Sequence, residues 1–251
     1  MCRHVAYLGP PIPLADLLFT PPHSLNRQSW APRDMRGGGT INADGFGVGW
    51  FEELPEPIRY RRSFPLWSDA GLPALAAAAR SGAILAAVRS ATEGMPVTET
   101  AAAPFADARW LFSHNGRVAG WPDSVTGPAA TLPTRDLLTL DAPTDSALLW
   151  ALTRADLRTG APLGKALAAV VAQVAAAAPG SRLNLLLTDG ETIAATAYGH
   201  SLSYRATPGE SVLVASEPLD DAPGWIPVPD RSLLVATPQA ATITALEGAA
   251  S

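Results

Sequence analysis

Strand-like segments occupy both ends of this chain and helix-like segments occupy its middle, and this order limits the folds open to it. The strand-like segments are short apolar runs bounded by Pro or Gly, at residues 5–9, 45–53, 82–89, 109–113, 183–188, 192–197, 211–215, 232–236 and 241–246. The helix-like segments carry start or stop signals, at residues 72–80, 145–158 and 162–178. Because the later strands recur at strand-and-turn spacing, the pattern predicts an α+β protein with helices layered on packed antiparallel sheets.

The chain is expected to form one domain over residues 1–251. With 251 residues, of which 47% are hydrophobic and 16% charged, it can bury a substantial core. The stretch 122–143 contains Pro and Gly, and we interpret it as a long loop within the domain. The strand-like segments on either side of it have no obvious core of their own.

Charge and hydropathy exclude several classes of partner. A net charge of −5 argues against nucleic acid, because such a partner requires an excess of phosphate-neutralising cations. No apolar stretch approaches the length needed to span a membrane, and the first residues do not resemble a signal peptide, so we expect a cytoplasmic protein. The sequence leaves the oligomeric state open.

The single cysteine, Cys2, follows the initiator Met1 directly. Removal of Met1 would leave one residue carrying both a thiol and a free α-amino group. The amino group, with an ordinary pKa of about 7.7–8.0, is able to take the thiol proton near working pH. Cys2 is therefore a candidate nucleophile with its own base. Taken alone, this position is also consistent with an ordinary terminal residue that has no catalytic role.

Several short motifs, in this order and spacing, resemble class II glutamine amidotransferases, which are N-terminal-nucleophile hydrolases. They lie at residues 2–9, 42–50, 89–92, 113–116 and 144–146, and the segment 215–218 is similar to a late motif of the family. The resemblance covers at least the first 150 residues and implies a four-layer αββα sandwich with antiparallel sheets. Residues 2–9 and 28–32 are most similar to the branch that hydrolyses γ-glutamyl-hercynylcysteine sulfoxide in ergothioneine biosynthesis.

The resemblance implies a catalytic role for three residues. Cys2 would attack the carbonyl of a γ-glutamyl amide and form a γ-glutamyl thioester, which water then hydrolyses. Asn115 and the backbone N–H of Gly116 match the oxyanion hole of the family. Taken alone, Asn-Gly is also a common choice for a tight hairpin turn.

The γ-glutamyl head carries two opposite charges, which require opposite partners. Arg89 would bind the α-carboxylate with its planar fork, and Asp145 would accept from the α-ammonium group. Ser90, in the same motif as Arg89, is included among the substrate-binding residues. Without the resemblance, Arg89 is an ordinary strand end and Asp145 an ordinary helix N-cap.

Two tryptophans, Trp30 and Trp50, are candidates for contact with an aromatic or cationic leaving group, and Trp30 is the one included in the predicted site. The resemblance also places a substrate-covering loop at residues 28–40. The glycines at 37–39 within it lack the Lys-Ser/Thr that follows a phosphate-binding loop.

No metal or other cofactor is expected. Cys2 and His4 are too close in sequence for a usual zinc arrangement, and His23, His114 and His200 show no ligand spacing. His4 stands two residues from the nucleophile, yet the terminal amine removes the need for a histidine base.

We favour simple hydrolysis of a small γ-glutamyl substrate, because the chain has no room for an ammonia-acceptor domain. Two alternatives stay open. One is a glutathione-type γ-glutamyl hydrolase, or a glutaminase subunit that works with a partner chain. The other is a non-catalytic relative used as a binding module.

Overall fold

The computed structural model describes residues 2–35, 41–54 and 56–246. The strands of this part are β1 Arg3–Pro13, β2 Phe46–Trp50, β3 Ile58–Arg62, β4 Arg80–Val88, β5 Phe105–Asp107, β6 Trp110–Arg117, β7 Arg182–Thr188, β8 Ile193–Ala197, β9 Ser203–Thr207, β10 Ser211–Ala215, β11 Ile226–Pro227, β12 Ser232–Ala236 and β13 Ala241–Ala245. The helices are α1 Ala15–Leu18, α2 Leu25–Trp30, α3 Leu72–Ala78, α4 Thr126–Ala130, α5 Thr134–Leu138, α6 Asp145–Arg158 and α7 Leu163–Ala177.

The strands form two antiparallel sheets. The first sheet has the order β11-β9-β10-β1-β4-β2-β3, so the N-terminal strand β1 is central. In it, Val5 pairs with Ala215 of β10 on one side and with Ala86 of β4 on the other. The second sheet has the order β13-β12-β8-β7-β6-β5.

Alternation along the strands explains how the layers are held together. Val5 and Tyr7 of β1 pack in one buried cluster with residues of the three N-terminal helices, while Ala6 and Leu8 pack in another with residues of the second sheet. On the far side, α6 and α7 share a third cluster with residues of β6 and β7, including Leu185. The order is therefore helices, sheet, sheet, helices, which confirms the expected αββα sandwich.

The sequence located the main elements but missed others. Helix α6 has the predicted bounds, and β1 includes its predicted segment but extends further. Strand β6 begins one residue later than predicted and continues to Arg117. The expected loop 122–143 is wrong in part, because it contains a 3₁₀ turn followed by α4 and α5. These helices have five residues each, and Pro and Gly inside or beside them hide the helical pattern.

Some expectations lie outside the described residues. These are the removal of Met1, the glycines at 37–39 and the end of the proposed covering loop, residues 36–40. Among the helices that the structure describes, none is both long and apolar enough to cross a membrane.

Candidate active site

Cys2 lies immediately before β1 and beside the end of β4. Because Arg3 pairs with Val88, the next position outward brings Cys2 next to Arg89 and Ser90. The Cys2 Sγ atom is 3.8 Å from the backbone oxygen of Ser90, and the residue is half-buried. It borders a narrow cavity of about 20 Å³, room for roughly one water molecule. The cavity is lined by Cys2, Ala87, Val88, Arg89, Ala101, Ala103, Phe105, Ser113, His114 and Ser146.

Arg89 is held at this cavity by backbone carbonyls. Its side chain is buried, and Nη1 donates to the oxygens of Pro96 at 2.9 Å and Asp44 at 3.4 Å. The Asp44 carboxylate accepts from the Ala91 N–H at 2.8 Å. This hydrogen bond joins the segment before β2 to the segment that follows Arg89. Arg89 is therefore not the exposed strand end considered above.

Asn115 lies within β6, so its interpretation as a hairpin turn is wrong. The side chain is fully buried, and Nδ2 donates to Ser216 Oγ at 3.2 Å. Ser216 Oγ also accepts from the His4 N–H at 3.0 Å. One serine hydroxyl thus joins the strand that follows Cys2 to the side chain of Asn115.

Gly116 follows in the same strand, at a point where no side chain fits. A Cβ atom there would collide with the backbone oxygen of Arg182 and stand 2.7 Å from His114 Nε2. The glycine thus allows β7 to approach β6 closely.

Asp145 is the first residue of α6, and Thr144 caps the helix by accepting from the Ala147 N–H. The N-cap interpretation of Asp145 is therefore wrong. Its buried carboxylate accepts from the Val118 N–H at 2.9 Å and from the Ser146 N–H at 2.7 Å. Asp145 also lines a cavity of about 420 Å³. Because the next residue, Ser146, borders the Cys2 cavity, the two cavities lie side by side.

The two histidines near the site are poorly suited to act as bases. His114 Nε2 donates to the Arg182 oxygen at 2.9 Å, so in the neutral ring Nδ1 accepts from Ser146 Oγ at 2.9 Å. Burial, with smaller contributions from the neighbouring His114, His200 and Arg3, lowers the pKa of His4 to about 3. His4 is therefore uncharged at neutral pH, with Nδ1 3.3 Å from Ser113 Oγ. Within the described ranges, no three His, Cys, Asp or Glu side chains are grouped to hold a metal.

Neither tryptophan chosen from the sequence lines these cavities. Trp30, at the end of α2, is 43% exposed, and the Arg27 guanidinium stacks on its ring at 3.9 Å from the centroid. Trp50 is buried in β2, where Nε1 donates to Glu52 at 3.0 Å. Ser90 contributes its backbone oxygen near Cys2, while its side chain borders neither cavity.

Sequence reasoning did not assign roles to Ser216, Ser146 or His114, which surround the predicted residues. All three fall within motifs noted in the sequence, at 113–116, 144–146 and 215–218. Their position within these motifs could therefore have pointed to them. Only the structure reveals that the hydroxyl of Ser216, which follows β10, contacts Asn115.

Comparisons with known proteins identify the family of this chain. Residues 23–209 match the family model of class II glutamine amidotransferases. The chain is 44% identical to a γ-glutamyl-hercynylcysteine sulfoxide hydrolase from Mycolicibacterium smegmatis, over 93% of this chain and 95% of that protein. It is 42% identical to a protein of the same name from Mycobacterium tuberculosis, over 99% of this chain and 98% of that protein.

A solved structure gives the same result for the fold. The glutamine aminotransferase class-II domain protein from Silicibacter pomeroyi superposes with a TM-score of 0.69 at 28% identity, over 98% of this chain and 99% of that chain. The family model and the similarity to these relatives establish that the chain belongs to the class II glutamine amidotransferases.

Proposed function

We propose that this protein hydrolyses the γ-glutamyl amide bond of γ-glutamyl-hercynylcysteine sulfoxide and releases glutamate. The observation that carries the proposal is that Cys2 and Arg89 line the same cavity, which brings the candidate nucleophile beside the candidate partner of the α-carboxylate. The similarity to two hydrolases of that name, over nearly the whole length of the chain, supports the choice of substrate.

Acylation begins at Cys2. Its thiol gives a proton to the free α-amino group, and the thiolate attacks the γ-carbonyl carbon to form a tetrahedral intermediate. The amine then returns that proton to the leaving nitrogen, the C–N bond breaks, and a γ-glutamyl thioester remains on Cys2. His4, uncharged and buried, leaves the proton transfer to the amine.

Asn115 and Gly116 stabilise the oxyanion in this scheme. Nδ2 of Asn115 has two hydrogens, and one is committed to Ser216 Oγ at 3.2 Å, which leaves the second for the substrate. The Gly116 N–H is the other proposed donor. Loss of one such donor typically raises the barrier by about 2.7–4 kcal/mol, because the charge it faces develops only in the transition state.

Arg89 and Asp145 bind the amino-acid head. Nη1 of Arg89 is engaged by backbone carbonyls, while Nη2 and Nε have no acceptor among the described residues, so they are available for the α-carboxylate. Asp145 keeps lone pairs free beside its two backbone donors, and these accept from the α-ammonium group. Ser90 contributes at this end through its backbone oxygen.

Deacylation needs one water molecule. Water attacks the thioester carbonyl and gives a proton to the α-amino group, while the same donors hold the second oxyanion. The C–S bond then breaks, the amine returns the proton to Sγ, and glutamate is released from the Cys2 thiol.

The test is glutamate release from three substrates by the purified protein whose N-terminus has been shown by mass spectrometry to be Cys2. γ-Glutamyl-hercynylcysteine sulfoxide, glutathione and glutamine are offered at equal concentration. The proposal expects the highest kcat/KM for the first. A higher kcat/KM for glutathione or glutamine would show that the proposed substrate is wrong. If no glutamate is released in any of the three reactions, the proposal that this protein is a hydrolase is overturned.

A further inference from the structure

Glu217, in the motif at residues 215–218, has no part in the mechanism above. Its side chain is buried, and its carboxylate accepts the backbone N–H groups of Arg33 at 3.0 Å and Asp34 at 2.8 Å. A charged group is costly to bury unless it is hydrogen-bonded in this way. Glu217 therefore holds the short segment that follows α2, at residues 33 and 34.

Arg3 contacts the same segment. Its side chain is fully buried, and Nη2 donates to the backbone oxygen of Asp34. Nη1 donates to the backbone oxygen of Cys2 at 3.0 Å. One guanidinium thus joins the residue that carries the nucleophile to the segment that Glu217 holds.

Arg3 approaches Cys2 from outside the substrate cavity. Side chains of β1 alternate between the two faces of the first sheet, and Val5 packs with the N-terminal helices on one of them. Arg3 shares that face, while His4 on the opposite face has Nδ1 3.3 Å from Ser113 of β6. Arg3 is accordingly not among the residues that line the Cys2 cavity. It is placed to position Cys2 and not to contact the substrate.

The charges of Arg3 and Glu217 complement each other. Burial lowers the pKa of the Arg3 guanidinium, and the negative charges of Glu217 and Asp34 oppose that effect. An arginine in a protein stays charged, so a buried one requires anions nearby. Replacement of a buried ion pair by apolar residues is often neutral or stabilising. Stability alone therefore does not account for this pair.

We propose that Arg3 and Glu217 are positioning residues, which fix the backbone of Cys2 relative to the proposed oxyanion donor. Ser216, the residue before Glu217, accepts from Asn115 Nδ2 at 3.2 Å. Two adjacent residues are therefore linked to both groups that must meet at the γ-carbonyl, the amide directly and the thiol through Arg3. The proposal rests on the proposed function. A displacement of about 1 Å at a reacting group lowers the rate by as much as about 100-fold.

Arg3→Lys tests this role, because lysine keeps the charge near Glu217 but lacks the rigid planar fork that joins two backbone oxygens. We expect kcat for γ-glutamyl-hercynylcysteine sulfoxide to fall about tenfold. Binding should not change, since Arg89 and Asp145 still hold the γ-glutamyl head. The Kd of this substrate, measured by isothermal titration calorimetry for Cys2→Ala and for Cys2→Ala/Arg3→Lys, should therefore be equal.

Glu217→Gln provides a second measurement. The amide keeps an oxygen that accepts from the backbone at residues 33 and 34, but it removes the charge that complements Arg3. We expect kcat to fall about threefold to tenfold, again with an unchanged Kd in the Cys2→Ala background. The double variant Arg3→Lys/Glu217→Gln should lose less than the product of the two single losses, because both residues act through the same segment.

Arg80→Lys is the matched control, because Arg80 Nη2 donates to the backbone oxygen of Pro11 at 3.0 Å, near the opposite end of β1. Its kcat should equal that of the wild type. Circular dichroism shows whether each variant is folded, and if Arg3→Lys does not fold, the same comparison of kcat with Kd is made on Glu217→Gln.

Three results would overturn the positioning role. These are a wild-type kcat in the folded variants, a Kd that rises by the factor by which kcat falls, and fully multiplicative losses in the double variant. Wild-type protein that does not cleave γ-glutamyl-hercynylcysteine sulfoxide would instead refute the proposed function, so the two failures are distinguishable.

Discussion

Asn115 and Ser216 are hydrogen-bonded at 3.2 Å, Nδ2 to Oγ, across a separation of 101 residues in sequence. The same oxygen accepts from the His4 N–H, two residues after the nucleophile. Because both side chains are fully buried, water does not compete for either contact. Ser216, which is hydrogen-bonded to β1, thus fixes the orientation of the Asn115 side chain, the proposed oxyanion donor.

Ser216→Ala should lower kcat about three- to tenfold with little change in KM. The reason is that the Asn115 amide loses its hydrogen bond to Ser216 Oγ, which orients it, while the substrate head keeps its partners. In the Asn115→Ala background the same change should have little further effect on kcat. Steady-state kinetics of the two single variants and the double variant give the coupling.

Ser232→Ala is the control, since Ser232 is buried in β12, in the second sheet, and away from Cys2. Its kcat should equal that of the wild type. Additive losses from Ser216→Ala and Asn115→Ala would show that the two side chains act separately, contrary to this account.

Gly116→Ala should lower the free energy of unfolding by about 1–3 kcal/mol, because the new methyl group overlaps the Arg182 backbone oxygen and forces β6 from β7. Gly127→Ala is matched to it, since a Cβ at Gly127 in α4 meets no atom within 4 Å. That change should be neutral or slightly stabilising. Urea unfolding of both variants measures the difference, and equal stabilities would show that the close approach at Gly116 is not required.

His4 should make the folded state sensitive to acid. Folding lowers its pKa from 6.5 to about 3, so between these values the unfolded chain binds a proton that the folded chain does not. Stability then falls as pH decreases through this window, by up to about 1.4 kcal/mol per pH unit. We expect His4→Gln to reduce this slope. Unfolding free energies at several pH values from 6.5 to 4 test it, and an unchanged slope would assign the acid sensitivity to other groups.

The sequence predicts Cys2, Arg89, Asn115 and Asp145 as site residues because each falls in a short motif, and these motifs follow one another in the order of the family. It ended the strand before Asn115 at residue 113, where the apolar run stops, while β6 continues to Arg117 through its pairing with β7, so the alternative of a hairpin turn at Asn115 is wrong. Such pairing depends on residues some 70 positions later, which local patterns do not report.

The same limit applies to the tryptophans. Trp30 and Trp225 are each followed by a Pro two residues later, yet of these two only Trp225 lines one of the cavities of the described residues. The position of Trp225 depends on how the segment after β10 returns to β9 through β11, in which Ile226 pairs with Tyr204. Burial and neighbours of this kind arise from tertiary packing and not from the sequence near the residue.

The free amine of Cys2 should be essential. A form that retains Met1 or carries an N-terminal tag should be inactive, because the amine becomes a peptide nitrogen that does not accept a proton. Proteolytic removal of the tag, leaving Cys2 first, should restore turnover. Mass spectrometry establishes the N-terminus of each form, and equal rates of glutamate release from both would exclude the amine as the base.

The central claim is that the reaction passes through a covalent bond between Cys2 and the γ-glutamyl group. The most direct measurement is rapid acid quenching of the processed protein with γ-glutamyl-hercynylcysteine sulfoxide, followed by mass spectrometry of the N-terminal peptide. The account expects the mass of one added γ-glutamyl group on Cys2 during turnover, its disappearance when substrate is exhausted, and no glutamate release by Cys2→Ala. Turnover by Cys2→Ala at the wild-type rate would contradict it.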